Sequence, residues 1–159
     1  MNTLIVYDSV FGNTEKIARA IGASLYTQGN VETLPVSQVT TEKMPGLDFL
    51  IVGSPTRSLR PTEAVAKFLN QLPKDHLSGV RVAAFDTRLV LELINSAALR
   101  FIVGKGGYAA STIARSLEKK GGKLFAPPEG FLVNGEKGPL KDGELERAAD
   151  WAKPIMATQ

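Results

Sequence analysis

Apolar runs of strand length alternate along the chain with segments of helical period, which is the pattern of an α/β fold with a parallel sheet. Residues 3–7, "TLIVY", are apolar on both faces, as a central parallel strand should be. Residues 13–28 follow with Ile17, Ala18, Ile21, Ser24 and Leu25 at helical spacing. "NVETLPV" is more polar and predicts a second strand nearer an edge. Residues 47–55, "LDFLIVGSP", predict a third strand as apolar as the first. Pro61 then opens a helix carrying Val65, Phe68, Leu69 and Leu72, since proline is tolerated in a first helical turn. Residues 79–88 give a fourth strand, and residues 107–122 a helix closed by lysines and glycine. "KLFAPPEGFLV" supplies a fifth strand, broken or ended at Pro127-Pro128. A final amphipathic helix, "DGELERAADWAKPI", puts Leu145, Ala148, Ala149, Ala152 and Ile155 on one face.

Five strands and four or five helices suggest a doubly wound sandwich. In both common strand orders of that architecture the ligand lies beyond the carboxyl ends of the central strands. Here those ends are residues 8–14, 54–60 and 86 onward, each rich in small, polar or turn-forming residues.

At 159 residues, with no repeats, low-complexity tracts or linkers, the chain reads as one domain spanning 1–159. Cysteine is absent, so disulfides, Cys-ligated metals and thiol nucleophiles are excluded. The one histidine, His76, follows "LPKD" and reads as a loop residue rather than a catalytic base. Met1 leads directly into the first strand with no basic or apolar leader, which predicts a cytoplasmic protein. A net charge of +3 without Arg/Lys runs interleaved with aromatics does not make a nucleic-acid binder.

The candidate chemistry starts at Ser9. A loop of hydroxyl and glycine residues running into a helix presents backbone N–H groups at the positive end of the helix dipole, which is an anion site. No Lys or Arg lies between Ser9 and Thr14, so neutral donors alone would hold the anion. Neither GxxxxGK[ST] nor GxGxxG is present at this turn, so triphosphate and dinucleotide fingerprints are absent. A single phosphate monoester fits the loop better. The plainer alternative is a Ser/Asn/Thr cap between strand and helix.

"LIVYDSVFGNTEKIARAI" resembles the FMN-phosphate loop of the flavodoxins, with its S-x-x-G-N-T core, and "GSPTRSLRPT" resembles their second flavin loop. The resemblance implies a flavodoxin-like three-layer sandwich with a five-stranded parallel sheet in the order 2-1-3-4-5. It implies FMN as cofactor, with Ser9, Gly12, Asn13 and Thr14 on the phosphate and the N–H groups of Val10 and Phe11 assisting. Pro55, Thr56, Arg57, Ser58 and Leu59 would lie along the isoalloxazine ring. Phe11 departs from flavodoxins that carry a hydroxyl residue at that position.

Other departures bear on function. The third flavin loop is enlarged, so ring or ribityl contacts are expected either from Asp86, Thr87 and Arg88 or from Gly106, Gly107 and Tyr108. Between them lies an apolar insertion at about 89–107. Its residues 89–103 predict a helix with a narrow polar stripe at Glu92, Asn95, Ser96 and Arg100, too short and too charged to span a bilayer. That helix packs over the sheet, forms a homodimer interface, or offers a docking face for a hydrophobic acceptor such as a quinone. Flavodoxins that act as electron carriers are usually acidic. This chain is basic, with Arg57, Arg60 and Arg88 expected on the flavin side, where positive charge favours a reduced, anionic ring. The second loop also has no glycine between Ser54 and Pro61 to ease a backbone rearrangement. The resemblance therefore implies an FMN-binding redox protein serving a redox protein partner. The alternatives are an FMN-dependent NAD(P)H quinone reductase acting on a small quinone-like acceptor, and a flavin-free interaction or regulatory module on the same fold.

Overall fold

The structure, a computed structural model, describes residues 1–90, residue 97 and residues 108–156. Among these residues the strands are β1 (Asn2–Tyr7), β2 (Asn30–Pro35), β3 (Phe49–Pro55), β4 (Arg81–Leu89), β5 (Lys123–Leu124) and β6 (Glu129–Val133). The helices are α1 (Asn13–Leu25), α2 (Glu63–Gln71), α3 (Ala109–Lys119) and α4 (Glu144–Met156). All strand pairs are parallel, in the order β2-β1-β3-β4-β5, with β6 also paired to β4. The expected sandwich and strand order are thus present. Of the helix expected over 89–103, Leu89 instead ends β4, and residues 91–96 and 98–103, with Gly106 and Gly107, lie outside the described residues.

The period-two alternation of each central strand feeds two cores. Leu4, Val6, Leu50, Val52, Val82 and Ala84 face one way, onto Val65 and Leu69 of α2 and Ile113, Ala114 and Leu117 of α3. Ile5, Tyr7, Phe49, Ile51, Ala83 and Phe85 face the other way, onto Ile17, Ala18, Ile21 and Leu25 of α1 and Ala148, Ala152 and Ile155 of α4. Strand β2 lies at the edge and has no fully buried residue, in keeping with its polar sequence. Pro61 stands one residue outside the cap of α2. Thr62 is the cap itself, its Oγ1 accepting from the Val65 N–H at 3.4 Å.

The fifth position of the sheet is filled in two pieces. Strand β5 pairs with Arg81 and Val82 at the start of β4, and β6 pairs with Phe85 to Leu89 at its end. Pro127 and Pro128 fall in the gap, where a residue without an N–H cannot continue the ladder. The second piece carries β4 pairing out to Leu89, which lengthens the carboxyl edge of the sheet where the loops gather. Phe85, Phe131 and Trp151 stack edge to face at centroid separations of 6.1 to 6.2 Å and lock β4, β6 and α4 together.

Leu145 does not join the buried face of α4; it is 42% exposed. The inward position of that first turn belongs to Glu144, whose carboxylate accepts from the Leu132 N–H at 2.7 Å and from the Arg147 guanidinium. Burial alone would raise the Glu144 pKa, but the Arg147 and Leu132 hydrogen bonds bring it below its ordinary value of 4.5. A depressed carboxylate contributes stability that is complete above its unfolded pKa and is lost as pH falls through the folded one. Urea unfolding should therefore show Glu144→Gln less stable than wild type at neutral pH, with the difference shrinking below about pH 4.5.

Gly53 of β3 lies under the ring of Phe85, whose Cζ would sit 2.0 Å from an added Cβ. Gly53→Ala should lower stability by roughly 1–3 kcal/mol through overpacking, read as a reduced urea midpoint at unchanged slope.

Candidate functional site

The loop after β1 is shaped by Ser9 and Gly12. The Ser9 Oγ accepts from the Gly12 N–H at 3.1 Å and the Glu15 N–H at 3.4 Å, so its own proton remains to be donated. Gly12, the residue before α1, has φ of +94°, a left-handed conformation that glycine adopts without steric penalty. Its N–H donates to Ser9 Oγ, so Gly12 shapes the turn into α1. The backbone N–H groups of Val10, Phe11, Asn13 and Thr14 have no acceptor among the described residues. Thr14 and Thr87 are both buried, and their hydroxyls hydrogen-bond at 2.8 Å, joining the first turn of α1 to the end of β4. Two hydroxyls in one hydrogen bond use one proton, so the pair keeps a second to donate.

The second loop leaves β3 at Pro55. The Thr56 N–H donates to the Thr87 carbonyl at 2.9 Å, and Arg57 and Arg60 exchange backbone hydrogen bonds at 2.8 and 2.9 Å. These close a two-residue turn in which Ser58 and Leu59 have φ of +49° and +67°. Such turns favour Asn-Gly, and each non-glycine residue held left-handed costs about 1–2 kcal/mol. The absence of glycine noted in the sequence therefore leaves a strained turn. It is secured at its far side by the buried Ser54 hydroxyl, which accepts from the Thr62 N–H at 3.0 Å.

Between the two loops lies a cavity of about 340 Å³, within the usual range for small-molecule sites. Among the described residues it is lined by Ser9, Val10, Phe11, Asn13, Thr14, Pro55, Thr56, Arg57, Ser58, Thr87 and Arg88, and also by Leu89, Val133 and Glu136. Of the predicted residues in 9–14, 55–59 and 86–88, all except Gly12, Leu59 and Asp86 thus meet around one space, and Tyr108 of the alternative set is not part of its lining.

A flavodoxin domain family model matches residues 4–124. The chain belongs to the flavodoxin family. A flavodoxin of Clostridium saccharobutylicum is 26% identical over 163 residues, covering 98% of this chain and 95% of its own. The crystal structure of oxidised flavodoxin 2 from Bacillus cereus superposes over the whole of both chains, with a TM-score of 0.77 at 21% identity. Rubredoxin oxygen:oxidoreductase from the anaerobe Desulfovibrio gigas matches 98% of this chain over 35% of its own, with a TM-score of 0.72 at 21% identity. Flavodoxin membership implies a flavin cofactor, and the structural likenesses establish the fold.

Within this flavodoxin-family chain the residues at the end of β4 divide differently from the expectation. Asp86 has no exposed surface. Its carboxylate accepts from Arg88 Nε and a terminal guanidinium nitrogen, both at 2.7 Å, and from the Ala110 N–H at 2.9 Å. Thr56 Oγ1 accepts the neighbouring Ala109 N–H at 3.1 Å, so two distant side chains cap α3. Burial pushes the Asp86 carboxyl up from its ordinary range, against the pull of the Arg88 guanidinium and the Ala110 N–H. Asp86 is therefore a structural anchor behind the cavity wall.

Arg88 is not a free rim cation. Its guanidinium lies 3.4 Å from the centroid of the Tyr108 ring and against Gly130, where an added Cβ would fall 2.0 Å from Nε. Tyr108 is the packed residue at the start of α3, 9% exposed, and not an open stacking surface. Arg57 and Arg60 alone of the three expected arginines are exposed. His76 sits exposed in the 73–78 turn, as its sequence context indicated.

The wall that sequence reasoning missed is the hairpin after β6. Val133 and Leu140 form an antiparallel bridge, and the Lys137 carbonyl accepts from Asn13 Nδ2 at 3.3 Å. The only local signal was the glycine- and proline-rich run "NGEKGPLKDG".

Removing one partner of the buried pair by Asp86→Asn should destabilise the fold by about 3–5 kcal/mol, because Arg88 then keeps its charge without a counter-ion. Thermal or urea unfolding checks this.

Proposed function

We propose that this flavodoxin-family chain binds FMN non-covalently between the 9–14 and 55–59 loops and serves as an electron-transfer protein. The observation that supports this most is the run of unpartnered N–H groups at Val10, Phe11, Asn13 and Thr14, flanked by the spare protons of Ser9 and of the Thr14–Thr87 pair. They form a nest of neutral donors at a helix N-terminus, which suits one phosphate group. The donor set and the adjoining cavity fit a phosphorylated flavin, with its ring against Pro55, Thr56, Arg57 and Ser58.

Bound flavin would supply the electron-transfer chemistry, and the protein would supply binding, orientation and electrostatics. The half-exposed side chains of Val10 and Phe11 line the cavity beside these donors, where they would shield a bound phosphate from water. Thr87, Arg88 and Leu89 form the opposite wall, stiffened by the Asp86 pair. Leu59 and Gly12 act through the shape of their turns. Residues 9 to 136 contribute to one cavity, in keeping with a single domain over 1–159.

Arg57 and Arg60 place two exposed positive charges at the ring end, which suits an acidic redox protein partner. No helix among the described residues is long and apolar enough to cross a membrane. A carrier working in the cytoplasm is the reading these features support best.

Ser9→Ala combined with Thr14→Val removes two charge-assisted hydrogen bonds. FMN affinity, followed by flavin fluorescence, should fall by roughly a hundredfold or more. Unchanged affinity would remove the phosphate assignment. Potentiometric titration separates the roles: two well-separated one-electron steps support the carrier, whereas sustained NAD(P)H-dependent quinone turnover would replace it with the reductase.

A further inference from the structure

We infer that the hairpin over residues 134–140 is the positioning element for Asn13, and through it sets the preference of this site for phosphorylated over unphosphorylated flavin. The inference rests on the FMN reading above and adds to it an element 124 positions away in sequence.

The hairpin is a built structure. The Asn134 N–H donates to the Pro139 carbonyl at 2.9 Å, the Gly138 N–H to the Gly135 carbonyl at 3.0 Å, and the Lys141 N–H to the Leu132 carbonyl at 2.8 Å. These bonds extend β6 and hold the turn beside the first loop, with Glu136 on the cavity wall. Gly138 has φ of +100°, and a Cβ there would lie 2.7 Å from Asn13 Oδ1 and 2.8 Å from Nδ2. No other residue type fits without displacing the Asn13 side chain. Asn13 itself is 8% exposed and is the first residue of α1, so its N–H is one of the unpartnered donors. The Asn13 amide is thus held between a carbonyl that accepts from it and a glycine that leaves it just enough space.

The consequence is directional. The first loop contains no cation, so its hold on an anion depends on the aim of neutral donors, and aim is what the hairpin fixes. The ring end of the cavity does not touch Gly138. Disturbing the hairpin should therefore weaken the phosphate contact and spare the ring contacts. The Lys137 ammonium, 6.0 Å from the centroid of the Phe11 ring, is exposed and plays a lesser part than the Lys137 carbonyl.

The test compares FMN with riboflavin, which has the same ring and no phosphate, by fluorescence titration of the full chain. Gly138→Ala should lower FMN affinity by about tenfold or more, with riboflavin affinity changed less than about twofold. In an Asn13→Ala background, Gly138→Ala should leave the FMN-to-riboflavin ratio unchanged, since no amide remains to be displaced. Lys137→Met keeps the carbonyl and should change FMN affinity by no more than about threefold. Equal losses for both flavins in Gly138→Ala, or no loss for FMN, would overturn the inference while leaving the FMN reading intact. A loss in Lys137→Met as large as in Gly138→Ala would move the effect to the ammonium and also overturn it. A wild-type protein that binds neither flavin would sink the FMN reading itself.

Discussion

The carboxylate of Asp86, with no exposed surface, joins four parts of the molecule through one cluster of charge-assisted hydrogen bonds. It closes a bidentate pair with Arg88 on the same strand and caps α3 at Ala110. Thr56, from the loop after β3, caps the same helix at Ala109 and helps to stabilise the Asp86 carboxylate. Arg88 in turn fills the space left by Gly130 of β6 and lies on Tyr108. A buried ionised carboxylate is costly unless its lone pairs are fully engaged, so each of these partners has a required position. The second loop, the end of β4 and the start of α3 are thereby fixed relative to one another, and they make up one side of the cavity.

The other side depends on hydroxyls and glycine. Ser9 absorbs two backbone N–H groups and frees the turn to present the remaining ones, and Gly12 supplies the left-handed step into α1. The Thr14–Thr87 bond ties this neutral cradle to the charged, rigid side across the sheet. The loop from Ser9 to Thr14 carries no charged side chain of its own, and the paired charge stands behind the wall at Asp86 and Arg88. At the rim charge appears as Arg57 and Arg60 on a strained turn. The basic flavin side expected from composition thus shrinks to two side chains, since Arg88 is neutralised by Asp86.

Much of this was legible in the sequence because local patterns encode it. Strand and helix periods gave the sandwich, and "SVFGNT" marked the first loop through its φ-permissive glycine and hydroxyl residues. Even the break in the fifth strand was readable at Pro127-Pro128. What local pattern did not report was the pairing of charge. Asp86 and Arg88 have a spacing of two that puts both side chains on one face, where they meet each other, so Asp86 is buried behind the cavity wall while Arg88 lines it. The hairpin over Asn13 was invisible for a different reason: its contacts span more than a hundred positions, and no local period reports a carbonyl aimed at a distant amide.

In the proposed flavin site a cation-free loop would hold the phosphate at the start of α1. A crystal structure of the protein with FMN tests this most directly. Phosphate oxygens are expected within hydrogen-bond distance of Ser9 Oγ and the Asn13 and Thr14 N–H groups, with the ring against residues 55–58. Phosphate density at Arg57 and Arg60 instead, with the ring turned toward the first loop, would contradict it.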